Sequence, residues 1–251
     1  MNIFVTIKRT FDTEEKIVVI GNEIDDRGVE FVINPYDEYA VEEAILLREK
    51  HGGSVTVVTV GDEESEKELR TALAMGADKA VLIEKEDIEE SDQATTALLL
   101  AAFLQDQPYD LIIGGNVSID NGSGQIGPRV AELLNIPQVT TITNIDIIDE
   151  KATIVRDVEG DEETVEVSLP ILVTAQQGLN EPRYPSLPGI MKAKKKPLEK
   201  ISFEELDVDE EDIQAKTKAI TIFLPPAKES GIRLKGNPEQ QVKELVRLLT
   251  K

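Results

Sequence analysis

One feature constrains this chain more than any other: a regular alternation of apolar runs and amphipathic stretches over its first 141 residues. Ile3–Ile7, Val55–Val60, Ala80–Ile83, Leu111–Ile113 and Gln138–Thr141 are short and continuously apolar. Such runs are expected of strands covered on both faces. Between them lie Asp37 to His51, Glu66 to Met75, Ser91 to Gln105 and Gly124 to Leu134. In the first of these, Ala40, Ala44 and Leu47 recur at helical spacing, while Glu42, Glu43, Arg48 and Glu49 fill the other faces. Asn34 or Asp37 starts that helix and Gly52-Gly53 stops it. Strand and helix in turn predict an α/β fold, a doubly wound, mostly parallel sheet.

The pattern then changes. Ile142–Ile148, Ala152–Asp157 and Glu163–Ser168 read as strands joined by turns, including Gly160-Asp161, and predict a small antiparallel extension near 142–168. Pro170–Thr174 reads as another buried strand. From Gln176 onward prolines, glycines and lysines dominate. Pro185 to Pro197 is expected to be an exposed loop with at most a short helical piece, and Glu204–Asp212 a solvated acidic face. Pro225-Pro226 breaks the chain, and Pro238–Thr250 reads as a final helix on an extended arm. We therefore expect an α/β domain over 1–184, a loop over 185–200 and an arm over 201–251.

Composition removes whole classes of function. Asp and Glu number 49 against 27 Lys and Arg, a net charge of -22, which repels phosphate backbones and anionic lipid. With no cysteine, there is no disulfide, thiolate catalysis or Cys-ligated metal. The single histidine, His51, falls at a helix end, where an imidazole favours the dipole, and one histidine assembles no relay. No apolar run approaches the roughly 20 residues that span a bilayer. The chain opens on a strand-like run without a signal-peptide pattern. We expect a cytoplasmic protein without nucleic-acid binding or stable membrane insertion, and with no catalytic residue of its own.

The strongest local signal follows Leu111–Ile113: Gly114-Gly115-Asn116-Val117-Ser118-Ile119-Asp120-Asn121-Gly122-Ser123-Gly124-Gln125, then a helix. A glycine-rich turn between a strand's carboxyl end and a helix start exposes backbone N–H groups that can cradle a phosphate. It is neither the dinucleotide fingerprint nor a P-loop, and an ordinary strand-to-helix loop has the same pattern. Asn34-Pro35-Tyr36-Asp37 likewise joins a strand-like run, Glu30–Ile33, to a helix; it is either a cap or a ligand contact. Arg70 to Asp78, with Gly76 as a C-terminal cap, reads as structural. Lys192, Lys194, Lys195 and Lys196 form a basic spot, either solvated or facing an acidic protein patch. Asp207, Asp209, Glu211 and Asp212 lack the glycine that a calcium loop requires.

Taken together, these segments resemble the small (beta) subunit of electron-transfer flavoprotein, from Met1 to about Lys200. Four stretches carry the resemblance: Val5–Arg9 with Asn34–Ala44, Arg70 to Asp78, Asp120 to Pro128, and Ile154 to Thr174 with Arg156, Glu159-Gly160-Asp161, Glu163, Val165 and Pro170. Beyond them, Leu179 to Lys194 looks like the family's recognition loop.

The resemblance implies a Rossmann-like, adenine-nucleotide-binding fold and a heterodimeric electron carrier, not an enzyme with substrate chemistry of its own. The large (alpha) subunit would hold most of the FAD, and this chain would hold AMP. The AMP site implied comprises Thr6, Asn34, Pro35, Tyr36, Asp37, Val60, Gly115, Asn116, Val117, Ser118, Ile119, Asp120, Asn121, Gly122 and Ser123. Thr13 stands where relatives often have tyrosine near the flavin, which leaves Tyr36 as the candidate for the flavin-facing side. Leu187, Pro188, Ile190, Met191, Lys194, Lys195 and Lys196 would dock on acyl-CoA and related flavin dehydrogenases, with Leu187 as anchor. A quinone oxidoreductase would receive the electrons, and the arm would wrap the large subunit. The rivals are a bifurcating flavoprotein with a second FAD in place of AMP, and a standalone nucleotide-binding regulatory domain of universal-stress-protein type.

Overall fold

The computed structural model describes residues 1–85, 88, 91–209, 211–228 and 230–250. It divides into two compact units: Met1–Lys16 with Asp26–Ile220, and Ile17–Asp25 with Thr221–Lys251.

In the first unit the strands are β1 (Asn2–Thr6), β2 (Arg9–Phe11), β5 (Phe31–Ile33), β6 (Ser54–Gly61), β7 (Lys79–Glu84), β8 (Leu111–Gly115), β9 (Gln138–Ile148), β10 (Lys151–Val158), β11 (Asp161–Ser168), β12 (Ile171–Ala175) and β13 (Leu198–Ser202). Its helices are α1 (Pro35–His51), α2 (Glu66–Met75), α3 (Gln93–Leu104), α4 (Ile126–Leu133) and α5 (Leu187–Ala193). The second unit holds the hairpin β3 (Val18–Ile20) and β4 (Glu23–Asp25), and α6 (Pro238–Leu249).

Among the described residues, nine strands form one sheet in the order β11-β10-β9-β12-β8-β1-β6-β7-β13. Pairing is parallel from β9 to β13 and antiparallel across β9, β10 and β11. The apolar runs form central strands because both of their faces are covered. Ile3 and Val5 join the core under α1 and α2, while Phe4 between them joins the core under α3 and α4. Leu111, Ile112 and Ile113 divide in the same way. Period-two side chains thus feed both cores from one strand. Pro35 opens α1 with its preset φ, and Gly52 ends it at φ 73. Asp92 caps α3 through the N–H groups of Ala94 and Thr95.

Three features differ from the sequence reading. The runs 138–141 and 142–148 are one strand, β9, which passes through a left-handed Thr141 at φ 58. Its first half pairs in parallel with β12 and its remainder with β10, so the extension grows out of the main sheet. Second, β13 lies within what reads as loop and arm: Leu198-Glu199-Lys200-Ile201-Ser202 is a polar edge strand that pairs only with β7. Third, residues 201–220 belong to the first unit, and the second begins at Thr221. Phe203 and Ile213 are buried in the α3–α4 core, and Thr95 Oγ1 donates to the Ile213 carbonyl at 2.8 Å. The acidic residues Glu204, Glu205, Asp207, Asp209, Glu211 and Asp212 are exposed as expected, whereas Glu210 lies outside the described residues.

Ile213, only 6% exposed, is a core residue directly after the segment that reads as solvated. Ile213→Ala is expected to destabilise the protein by about 2–4 kcal/mol. Exposed Glu204→Ala should change stability by no more than about 0.5 kcal/mol. Urea denaturation of the two purified variants measures both.

Candidate functional site

The chain crosses from one side of β1 to the other between β7 and β8, because β6 and β7 lie on one flank and β8 on the other. At such a reversal of strand order the loops at the strands' carboxyl ends diverge and leave a crevice. Here it is a cleft of about 270 Å³, bounded by Thr6 at the end of β1, Val60 on β6, Gly114 and Gly115 on β8 and Thr174 on β12.

Asn34 and Asp37 build its floor, and neither serves as an ordinary helix cap. Asn34 precedes α1 but makes no side-chain capping bond. Its Nδ2 donates to the Val117 carbonyl at 2.9 Å, and its Oδ1 accepts from the Ile119 N–H at 3.2 Å. One amide thereby fixes the shape of the glycine-rich loop. The Asp37 carboxylate accepts the Lys8 N–H at 2.7 Å and the Gly115 N–H at 2.9 Å. Gly115 is required for this approach, since a Cβ there would lie 2.7 Å from the Tyr36 Cβ. Burial pushes the Asp37 carboxyl up to about 7; the Asn34 side chain, the two N–H groups and the Lys8 charge pull the other way.

Of the residues singled out from the sequence, the structure brings Thr6, Asn34, Asp37, Val60, Gly115, Asn116, Val117, Ser118, Asn121 and Ser123 to the cleft wall. Pro35, Tyr36, Ile119, Asp120 and Gly122 do not line it. Pro35 starts α1, Ile119 contributes its backbone N–H to Asn34, and Gly122 supplies a turn at φ 68. Asp120 accepts from Lys8 Nζ at 2.5 Å. Tyr36 faces a separate shallow depression with Thr143, Gly160 and Gln176.

The cleft also takes residues that sequence reading passed over. Lys85, Ser91, Asp92, Gln93, Thr96 and Leu100 come from the end of β7 and the start of α3; Gln125, Ile126, Gly127 and Val130 from α4; and Leu172 and Thr174 from β12. Asp92 directly before an apolar helix is a readable cap signal, but nothing local shows that α3 crosses to this site. The start of α4 carries no side-chain cap, and Gln125, Ile126 and Gly127 there line the cleft. Asp92 Oδ2 accepts from the N–H groups of Lys216 and Thr217 at 2.9 and 2.8 Å, tying that segment to the rim.

The basic spot divides. Lys192, Lys194 and Lys195 are exposed, but Lys196 Nζ donates to the carbonyls of Leu73 and Ala77. Lys196 is therefore engaged within its own chain, a correction to its place among exposed docking lysines. Leu187, Pro188, Ile190 and Met191 lie on α5, with Leu187 80% and Met191 67% exposed, so neither side chain packs into this chain's core. Among the described residues there is no cluster of metal-ligating side chains, and no helix is long and apolar enough to cross a membrane.

This architecture defines an open, doubly wound α/β protein with a cleft at its switch point. Residues 22–206 match the electron transfer flavoprotein domain. The chain is 63% identical to the electron transfer flavoprotein subunit beta of Bacillus subtilis (strain 168), over 99% of its own length and 97% of the relative's. It is 40% identical to the subunit beta of Syntrophomonas wolfei, over 95% and 92% of the two chains. With the mitochondrial subunit beta of Oryza sativa subsp. japonica it shares 39% identity over 95% of each. The chain belongs to the electron transfer flavoprotein family, on its beta-subunit side.

The Asp37 carboxyl titrates higher in the folded chain than its ordinary 3.8, so folding favours the acid form. Its stabilising contribution is complete below pH 3.8 and falls away as pH rises through about 7. Asp37→Asn cannot ionise, and it sets an NH₂ group against one of two buried N–H donors. It is expected to cost about 1–3 kcal/mol, the usual penalty for an unpaired buried donor. It should also flatten the decline of melting temperature with pH relative to the parent; parallel curves across that range would contradict the assignment.

Proposed function

We propose that this beta-type subunit holds AMP in the switch-point cleft. It would pair with a large (alpha) subunit that carries most of the FAD, and act in the cytoplasm. The pair would take electrons from acyl-CoA and related flavin dehydrogenases and deliver them to a quinone oxidoreductase. The observation that carries this reading is the convergence of Thr6, Asn34, Val60 and the Gly115–Ser123 loop on one cleft.

The donor set suits a mononucleotide. Uncapped N–H groups at the start of α4, together with Lys8 and Lys85 at the wall, favour a phosphate. Val60, Leu100, Val130 and Leu172 offer an apolar wall for a purine. The presence of the Leu187 to Lys194 recognition loop favours the plain, AMP-holding carrier over the bifurcating reading. FAD, when bound, supplies the redox chemistry. This chain's residues bind, orient and exclude water, and Tyr36, outside the cleft, remains the residue offered to the flavin side.

Two surfaces support the partner assignments. On α6, Val242, Leu245, Val246 and Leu249 form an exposed apolar face, an unfilled stripe suited to a large-subunit groove. On α5, Leu187 and Met191 are apolar anchors beside exposed lysines that would steer encounter.

Denaturing the purified heterodimer should release about one AMP per chain, as one switch-point site implies. Two FAD and no AMP would instead favour the bifurcating reading. Deleting residues 226–251 should weaken heterodimer affinity and FAD retention, both measured on the purified complex; unchanged values would refute the wrapping arm.

A further inference from the structure

Helix α5 is seven residues long, too short to be stable by itself. Two cations hold it. Arg70, on α2, donates through Nη1 to the carbonyls of Ala193 at 2.9 Å and Lys196 at 3.0 Å, at the carboxyl end of α5. Lys196, just beyond α5, donates through Nζ to the carbonyls of Leu73 at 3.0 Å and of Ala77, at the carboxyl end of α2. Each helix thus closes the other's terminal carbonyls with a cation, where a helix leaves C=O groups unpaired and its dipole is negative.

The contact is close as well as polar. A Cβ at Gly189 would lie 2.6 Å from the Ala74 carbonyl oxygen, so only glycine lets α5 settle on α2. Ala193 is 2% exposed and joins the α1–α2 core. Upstream, Arg183 forks onto Glu42 and Glu49, with Nε to Glu42 Oε2 at 2.8 Å and Nη1 to Glu49 Oε1 at 2.8 Å. The Asn180 amide reaches the Tyr39 carbonyl at 3.0 Å and Glu43 at 2.9 Å. The segment is tied at both ends, and Leu187 and Met191 are exposed between the ties.

We propose that Arg70 and Lys196 are positioning residues for electron transfer: their reciprocal clasp holds α5 in its docking shape before a partner arrives. The inference rests on the reading of α5 as the partner-recognition element. It adds that two residues on the inner side of that element set the transfer rate without touching the partner. Ordering an epitope in advance removes an entropy cost that docking would otherwise carry.

The test uses the purified heterodimer, with a substrate-reduced acyl-CoA dehydrogenase as electron donor and hydrogen exchange over residues 187–196 read without the donor. Lys196→Met and Arg70→Met should each raise exchange and slow transfer by about tenfold, the scale of losing one or two pre-ordered contacts. Flavin content, salt dependence of the rate and direct reduction by dithionite should match the parent. Arg70→Met removes both carbonyl contacts at the end of α5 while leaving Lys196 in place, and carries the test if Lys196→Met fails to fold. Leu187→Ala should slow transfer while leaving exchange unchanged. Unchanged exchange with an altered salt dependence in Lys196→Met would make Lys196 a direct partner contact and overturn the proposal. A normal transfer rate in Leu187→Ala would instead sink the recognition reading, while the exchange data still report on the clasp.

Discussion

The carboxylate of Asp37 joins three parts of the chain that have no covalent reason to meet. Its oxygens accept the N–H of Lys8, just past β1, and of Gly115, at the end of β8, while its own residue lies in the first turn of α1. The loops leaving β1 and β8 would otherwise splay apart at the switch point, with two N–H groups held away from water and unpaired. Asn34, three residues earlier, performs the same task for the glycine-rich loop through Val117 and Ile119. The cleft wall is thus held by two short polar side chains at the start of one helix. The burial that makes these bonds strong also pushes the Asp37 carboxyl up to about 7, so the same desolvation that fixes the geometry opposes the charge.

Away from the cleft, the protein separates two kinds of surface. A net charge of -22 covers most of it, which suits solubility and opposes contact with anionic polymers. Against that background exposed apolar residues occur along the chain, and two groups of them lie on α5 and on α6. A scattered exposed leucine needs no explanation, but Leu187 and Met191 on a short helix clasped from behind form an arranged surface. The clasp also accounts for the course of the chain after α5. Lys196 must turn inward to reach the α2 carbonyls, and the chain then enters β13 alongside β7.

Much of this was legible in the residues. Apolar runs near 3–7, 55–60, 80–83 and 111–113 became central strands, and α2 has the bounds its pattern implied, Glu66 to Met75. For the glycine-rich loop and Asn34–Asp37 the residues left an ordinary turn or cap open beside a ligand contact, and the structure brings both segments to one cleft. What escaped was whatever depended on a distant partner. The edge strand β13 carries too many charges to look like a strand, and only the open edge of β7 makes it one. Phe203 and Ile213 sit in acidic sequence, and only the α3–α4 face gives them a core to enter. Lys196 stood in a run of lysines that local sequence cannot tell apart.

The sequence by itself determined the alternation of strand and helix, the two-sided burial of the central strands, the absence of cysteine or multi-histidine chemistry, and the family. All of these reside in residue types and short-range spacing, where side-chain periodicity and backbone preference act. Tertiary structure alone decided which groups those residues face: Asp37 on Lys8 and Gly115, Asn34 on the loop at Val117, Arg70 and Lys196 on each other's helices. The physical reason is that a polar side chain's partner is set by where the sheet order brings distant backbone together. Asp37 and Gly115 are 78 positions apart, and the sequence between them carries no local mark of that meeting.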